Sequence, residues 1–314
     1  MSLIVTRQIN DEIFVIADTK FTVNETDAVT QAEQYIGGLK VVILEPGLFV
    51  AFAGIVEYAR KAIERIYDKG LFLFDKNQVI DYFLSHHKSA SHQTDFIVGV
   101  IVEERDNPAS FEKEFFKIAN GEVQWEKQVA HIGDEDAYSK FQSYFHTDEN
   151  KSPVPTFEIN SLGKNEIPEF HAHLAKSMKA MMQVIDDPDI STIDGIRTVV
   201  ISEENQFRYT EYLQIRGNPI PIRNEPNSPV YFGGAAEGSD IKHVGLYTSI
   251  GHGVFPVFFE SGKFGIIYHP ENSFKPTILR CNSKDEFLEQ VKKRIIIAHE
   301  RALLYQERAD NHIL

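Results

Sequence analysis

The chain has 314 residues, enough for a large core, and a net charge of −14 with no run of Lys and Arg. That balance argues against nucleic acid or an anionic membrane as partner. A single cysteine, Cys281, excludes an intrachain disulfide and a cysteine-based structural zinc site, and fits a reducing compartment. No apolar stretch reaches bilayer-spanning length and no secretory signal opens the chain, so the expected location is cytoplasmic.

In chain order, residues 3–9 and 13–19 read as strands around an Asn10-Asp11-Glu12 turn, a register that sets Ser2 opposite Asp18 to within a residue. A second hairpin joins Lys40–Leu44 to Leu48–Ala53 through Glu45-Pro46-Gly47. These strands are apolar on both faces, which predicts sheets covered on both sides. Ile55, Ala59, Ala62, Ile63 and Ile66 form a helical stripe ending near Gly70, and Val79, Ile80 and Phe83 mark a second, short helix. Phe96–Val102 reads as a buried strand. Glu114–Ala119 and Val123–Val129 flank an Asn120-Gly121 turn. A helix starts near Asp134 with Ala137, Tyr138 and Phe141, and residues 147–167 read as a polar loop. Pro168–Ile185 is helical, with Leu174, Met178, Met181 and Met182 as core filler. Strands at Arg197–Ser202 and Gln206–Leu213 complete this part. The order fits neither βαβ alternation nor an all-strand domain. It predicts an α+β fold of two sheets face to face with helices outside.

The prolines at 219, 221, 226 and 229 mark a boundary, giving domains at 1–216 and 217–314. The second is read as a smaller α+β unit, with strands at 243–250, 253–260, 264–268 and 276–280 and Ser261-Gly262 as a turn. A closing helix at 284–308 turns Phe287, Val291, Ile295 and Ala298 inward.

An N-terminal Ser can supply both nucleophile and base, its hydroxyl attacking while its α-amine takes the proton. Four stretches strengthen that reading: SLIVTRQINDEIFVIADTK, GLKVVILEPGLFVAFAG, FFKIANGEVQWEKQVAHIGDEDA and ISTIDGIRTVVISEENQFRY. In order and spacing they resemble the proteasome β subunits and the HslV-type peptidases, within the N-terminal-nucleophile (Ntn) hydrolases, over residues 2–215. The resemblance implies a four-layer αββα sandwich, no cofactor, a peptide or protein substrate, a homo-oligomer and an unfoldase or activator partner. It puts Ser2 at the nucleophile position once Met1 is removed. Asp18 and Lys40 match the catalytic acid and lysine, and Gly54 matches the glycine whose N–H binds the oxyanion. Asp189 and Thr192 fall near a supporting acid and hydroxyl. Phe52 falls near the main specificity pocket, where its ring would favour small substrate side chains. Ser stands where the family usually has Thr, the segment between Asp18 and Lys40 is longer than usual, and Asp134 stands where the family commonly has Ser. A carboxylate there would favour the protonated amine and weaken it as a base. The last hundred or so residues have no counterpart in the family pattern. Two alternatives stay open: a non-catalytic scaffold of the same fold, and a hydrolase of small amides.

Other constellations are weaker. His86, His87 and His92 lack helical zinc spacing and read as a solvated helix end. His171 and His173 point to different faces of one helix. Gly233-Gly234 with Gly238 lacks the Lys-Ser/Thr ending of a phosphate loop, Gly251-His252-Gly253 reads as a tight turn, and Cys281 reads as buried filler.

Overall fold

A computed structural model describes residues 2–20, 37–69, 75–104, 107–147, 168–210, 212–216, 243–247, 254–259, 263–269 and 273–293. Its fold is α+β, with three five-stranded antiparallel sheets. The strands in chain order are β1 (Leu3–Ile9), β2 (Glu12–Ala17), β3 (Val41–Glu45), β4 (Leu48–Gly54), β5 (Thr94–Glu104), β6 (Asn107–Ala119), β7 (Glu122–Glu126), β8 (Val129–Gly133), β9 (Thr198–Glu203), β10 (Gln206–Tyr209), β11 (Tyr212–Arg216), β12 (His243–Tyr247), β13 (Phe255–Phe259), β14 (Phe264–Tyr268) and β15 (Thr277–Arg280). The helices are α1 (Val56–Lys69), α2 (Lys76–Ser89), α3 (Glu135–His146), α4 (Glu169–Ile185) and α5 (residues 284–293). Among the described residues no helix is long and apolar enough to cross a membrane.

The first sheet runs β10-β9-β2-β1-β8 and the second β3-β4-β5-β6-β7. Strands β1, β2 and β8 of the first touch β4, β5 and β6 of the second, α2 lies on β5 and β6, and α4 lies on β1 and β2 while packing against α3. The doubly apolar strands thus find partners on both faces: Leu3, Ile4, Val5, Ile13–Ala17, Val41–Ile43 and Phe49–Phe52 all lie in one buried cluster. Polar ties join the sheets at their ends. Lys113 on β6 pairs with Glu12 at 2.8 Å, and the Phe207 N–H donates to the Pro46 carbonyl at 2.5 Å.

Local chemistry sets the turns. Asn10 takes a positive φ of 54° between paired Ile9 and Glu12, so the turn is Asn10-Asp11. Asn120 and Gly121, at φ 54° and 80°, make the equivalent two-residue turn between β6 and β7. The β3–β4 hairpin turns at Pro46-Gly47 and carries a bulge between Ile43 and Glu45.

Several expectations need correction. The stretch read as one strand, 123–129, is two: β7 ends at Glu126, and β8 crosses to the first sheet, pairing Leu3 with Gly133. The second helix is not short but 14 residues long. Ile55 precedes α1 and is 42% exposed, whereas Ala59, Ala62, Ile63 and Ile66 are buried. Met182 is only half-buried. Residues 206–213 divide as well: β10 stops at Tyr209, and β11 pairs with β12 in the third sheet. That sheet, ordered β11-β12-β13-β14-β15, therefore begins before the expected boundary at 216. The loop at 147–167 beyond Thr147, the proline-rich break, the glycine stretches, the Ser261-Gly262 turn, Ile295 and Ala298 lie outside the described residues.

The third sheet is continuous with the main core. Phe255, Val257, Phe259, Phe264, Ile266 and Tyr268 belong to the large cluster, and the Phe255 ring packs on Tyr209 at 4.9 Å. Its other face holds Val254, Phe258, Ile267 and Cys281 against Phe287 and Val291 of α5.

Half-burial at the β3 turn pushes the Glu45 carboxyl up to about 7. A raised carboxyl contributes stability that is complete below pH 4.5 and lost as pH rises through about 7. The Glu45→Gln variant should match the parent at pH 4. At pH 8 it should be more stable by about 1–2 kcal/mol, after discounting for solvent screening. Urea unfolding across that range checks this, and a difference independent of pH would count against it.

Candidate active site

The site forms where β1 begins. Continuing the β1–β2 register sets Leu3 opposite Asp18, one residue from the expected pairing, and the Leu3 N–H donates to Asp18 Oδ1 at 3.2 Å. Asp18 is fully buried. Lys40, also buried, donates from Nζ to Asp18 Oδ2 at 2.7 Å. Backbone bonds hold both ends of this pair. The Gly38 N–H donates to the Thr19 carbonyl, drawing the start of β3 to the end of β2, and the Phe52 N–H donates to the Lys40 carbonyl at 3.0 Å. Burial pushes the Asp18 carboxyl up, opposed by Lys40 and by the backbone N–H groups of Leu3 and Asp194. Burial likewise pushes the Lys40 ammonium down, opposed by Asp18.

Ser2 is 5% exposed, and its carbonyl accepts the Asp134 N–H at 2.7 Å, extending the β1–β8 ladder by one residue. Gly133 makes this approach possible. It has φ +112°, and a Cβ there would lie 1.9 Å from the Ser2 carbonyl oxygen and 3.4 Å from Ala53 Cβ. Ala53 at the end of β4 thus lies against Gly133, the residue beside the Ser2 carbonyl. Gly54 has φ +113°, and its Cβ would meet the Gln93 carbonyl at 2.1 Å. N–H groups alternate along an antiparallel strand. Because Phe52 N–H faces β3, Gly54 N–H faces the same side, past the end of β3, where a donor can meet a developing oxyanion.

Asp134 is the N-cap of α3. Its Oδ1 accepts the N–H groups of Asp136 and Ala137, and its Oδ2 accepts the Thr192 hydroxyl at 2.6 Å. Burial raises its carboxyl, but these hydrogen bonds outweigh burial and hold it below the usual carboxylate range. Both oxygens are thus engaged with the helix terminus and Thr192, which keeps the group ionised.

Asp189 is not part of the cluster. It is 78% exposed, with Oδ2 3.5 Å from Lys140 Nζ. The acid at 194 contributes instead through its backbone, the Asp194 N–H reaching Asp18 and its carbonyl accepting the Lys20 N–H. The Thr19 hydroxyl accepts the Ile196 N–H at 2.8 Å, and Lys20 Nζ donates to the Ser191 carbonyl at 2.8 Å. Sequence reasoning missed these supports; their signal was the Thr19-Lys20 that completes the strand-end motif and the Asp194-Gly195 turn. Phe52 is buried with its ring on Phe274 at 5.4 Å, so it packs in the core rather than lining an open pocket.

His87 is buried, not solvated. Its Nε2 accepts the Gly121 N–H at 2.8 Å and its Nδ1 lies 2.8 Å from the Thr94 carbonyl, which fixes the proton on Nδ1. Among the described residues no cluster of His, Cys, Asp and Glu is arranged to hold a metal ion. No protein-family model and no curated protein matches this chain.

Removing one member of the buried pair strands the other charge. Lys40→Met should cost about 3–5 kcal/mol in urea unfolding, and adding Asp18→Leu to it should recover part of that loss. A double variant less stable than Lys40→Met would contradict a coupled pair.

Proposed function

We propose that this chain is an Ntn hydrolase that cleaves peptide bonds through Ser2 after Met1 is removed. The observation that carries the proposal is the buried Asp18–Lys40 pair, tied by the Leu3 N–H to the residue following the nucleophile. The helix–sheet–sheet–helix order of contacts supports a proteasome-like αββα sandwich as its scaffold.

In the proposed reaction the α-amine of Ser2 takes the proton of its own hydroxyl as Oγ attacks the substrate carbonyl carbon. Gly54 N–H donates to the carbonyl oxygen as it gains charge, and the Lys40 ammonium stabilises the forming alkoxide. Collapse breaks the C–N bond, and the ammonium of Ser2 returns the proton to the leaving amine. Water then attacks the acyl-Ser2 ester, its proton passing through the same amine, and releases the acid. Asp18 holds Lys40 in place. By resemblance the working form is a cytoplasmic homo-oligomer fed by an unfoldase or activator. The third sheet has no counterpart in the family pattern, and Phe274, in the connection between β14 and β15, packs on Phe52 of β4.

Intact mass of the native protein is the first test, with loss of Met1 expected. Hydrolysis of a peptide panel should then exceed that of small acyl amides and fall about a thousandfold or more in Ser2→Ala. Retention of Met1 in cells would favour the non-catalytic scaffold, and unchanged hydrolysis in Ser2→Ala would remove Ser2 as nucleophile.

A further inference from the structure

The third sheet reaches the candidate active site through one short turn. Ser273 and Phe274 lie in the connection between β14 and β15. The carbonyl of buried Ser273 accepts the Leu39 N–H at 3.0 Å, next to Lys40 in the chain. The Phe274 ring packs on Phe52 with centroids 5.4 Å apart and planes tilted by 36°. Phe52 is 1% exposed, whereas Phe274 is only half-buried. Phe274 thus lies at the surface, over Phe52.

Strand geometry fixes where this cover stands. Side chains alternate between the two faces of a strand. Ala53 faces the first sheet, since a Cβ on Gly133 would lie 3.4 Å from its own. Phe52 and Gly54 therefore belong to the opposite, helix-side face. Phe96, opposite Phe52 in register, agrees by packing on Phe83 of α2 at 5.1 Å. Continuing the β3–β4 register sets Lys40 opposite Phe52 on its other side. Such pairs share a face, with Cβ atoms about 5 Å apart. Phe52 thus stands beside Lys40 and two residues before Gly54. In the proposed reaction the substrate carbonyl oxygen meets the Gly54 N–H, and Ser2 attacks from the side of the first sheet. That side is taken by Ser2, Gly133 and Ala53, so the side chain of the acyl residue extends over the helix-side face, toward Phe52. The Phe274 ring already occupies that space.

We propose that Phe274 is a specificity-determining residue of this site, limiting the residue on the acyl side of the cleaved bond to a small one such as Gly, Ala or Ser. The inference rests on the hydrolase reading. The limiting side chain comes from the β14–β15 connection, not from the segments that carry Ser2, Asp18 and Lys40.

The test is kcat/KM of the full chain, freed of Met1, on peptides that differ only in carrying Ala, Leu or Phe on the acyl side of the cleaved bond. The parent should favour Ala over Leu and over Phe by about tenfold or more. Phe274→Ala opens the space against Phe52 and should shift both ratios toward the larger residue by about tenfold or more. Phe274→Leu keeps a smaller apolar cover and should shift them in the same direction by less; it decides if Phe274→Ala does not fold. Cleavage with parental ratios in every folded variant, or a parent that prefers Leu or Phe, would overturn the assignment and leave Ser2 as nucleophile. No cleavage of any peptide by the Met1-free parent would instead overturn the hydrolase reading, and the assignment with it.

Discussion

The buried contact between Lys40 Nζ and Asp18 Oδ2 is the constraint around which the first half of the chain is arranged. Two fully desolvated charges lose several kcal/mol each, and their attraction returns this only with good geometry and satisfied remaining valences. Asp18 meets that condition by accepting Lys40 and the backbone N–H groups of Leu3 and Asp194. Those donors come from β1, the start of β3 and the turn before β9, so satisfying one carboxylate requires three distant segments to converge. An apolar pair of similar volume would often serve stability as well or better. The core around it is already rich in aliphatic and aromatic side chains. A charged pair at this place is therefore not explained by a need for cohesion.

The third sheet follows from another constraint. Strands β10 and β3 are the edges of their sheets, and edges present unpaired backbone groups. Here the Tyr209 hydroxyl donates to the Val41 carbonyl, the Leu39 N–H donates to the Ser273 carbonyl, and Phe255 packs on Tyr209. The C-terminal residues thus occupy the side where both sheets end. Burial makes the Tyr209 hydroxyl a harder proton to lose, consistent with a structural tie. This explains why the third sheet shares one core with the others although composition sets it apart.

Local signals carried much of this architecture. The apolar runs, the Asn10 and Asn120-Gly121 turns and the Asp134 cap are near-neighbour chemistry, and they place β1, β2, β4, α3 and the two residues Asp18 and Lys40. What sequence did not reveal depends on distance. Thr192 bonds Asp134 across 58 residues, a pairing no local pattern encodes. The β7–β8 division was hidden because Lys127-Gln128 carries neither Gly nor Pro, so the strand pattern ran on across the change of sheet. Asp189 drew attention as a carboxylate, whereas Asp194, five residues on, acts through its N–H, which any residue possesses. Arg7 would face water in an isolated hairpin, and in the fold Phe145 of α3 packs over its guanidinium.

The two glycines around Ser2 are built alike and used differently. Gly54 ends β4 and Gly133 ends β8, with φ +113° and +112°, and at each a Cβ would strike a carbonyl oxygen. Each lets its strand stop abruptly and turn toward a helix, α1 or α3. Past Gly133 the next N–H, that of Asp134, is consumed by the Ser2 carbonyl, which fixes residue 2 at the strand end. The N–H of Gly54 instead faces the side from which β3 has already departed. One kink therefore holds the backbone of residue 2 while the other leaves an N–H on the side past the end of β3, and both require a residue without a side chain. Substituting either would disturb position before it disturbed chemistry. The geometry at Ser2 thus rests on backbone conformation as much as on the charged pair beneath it.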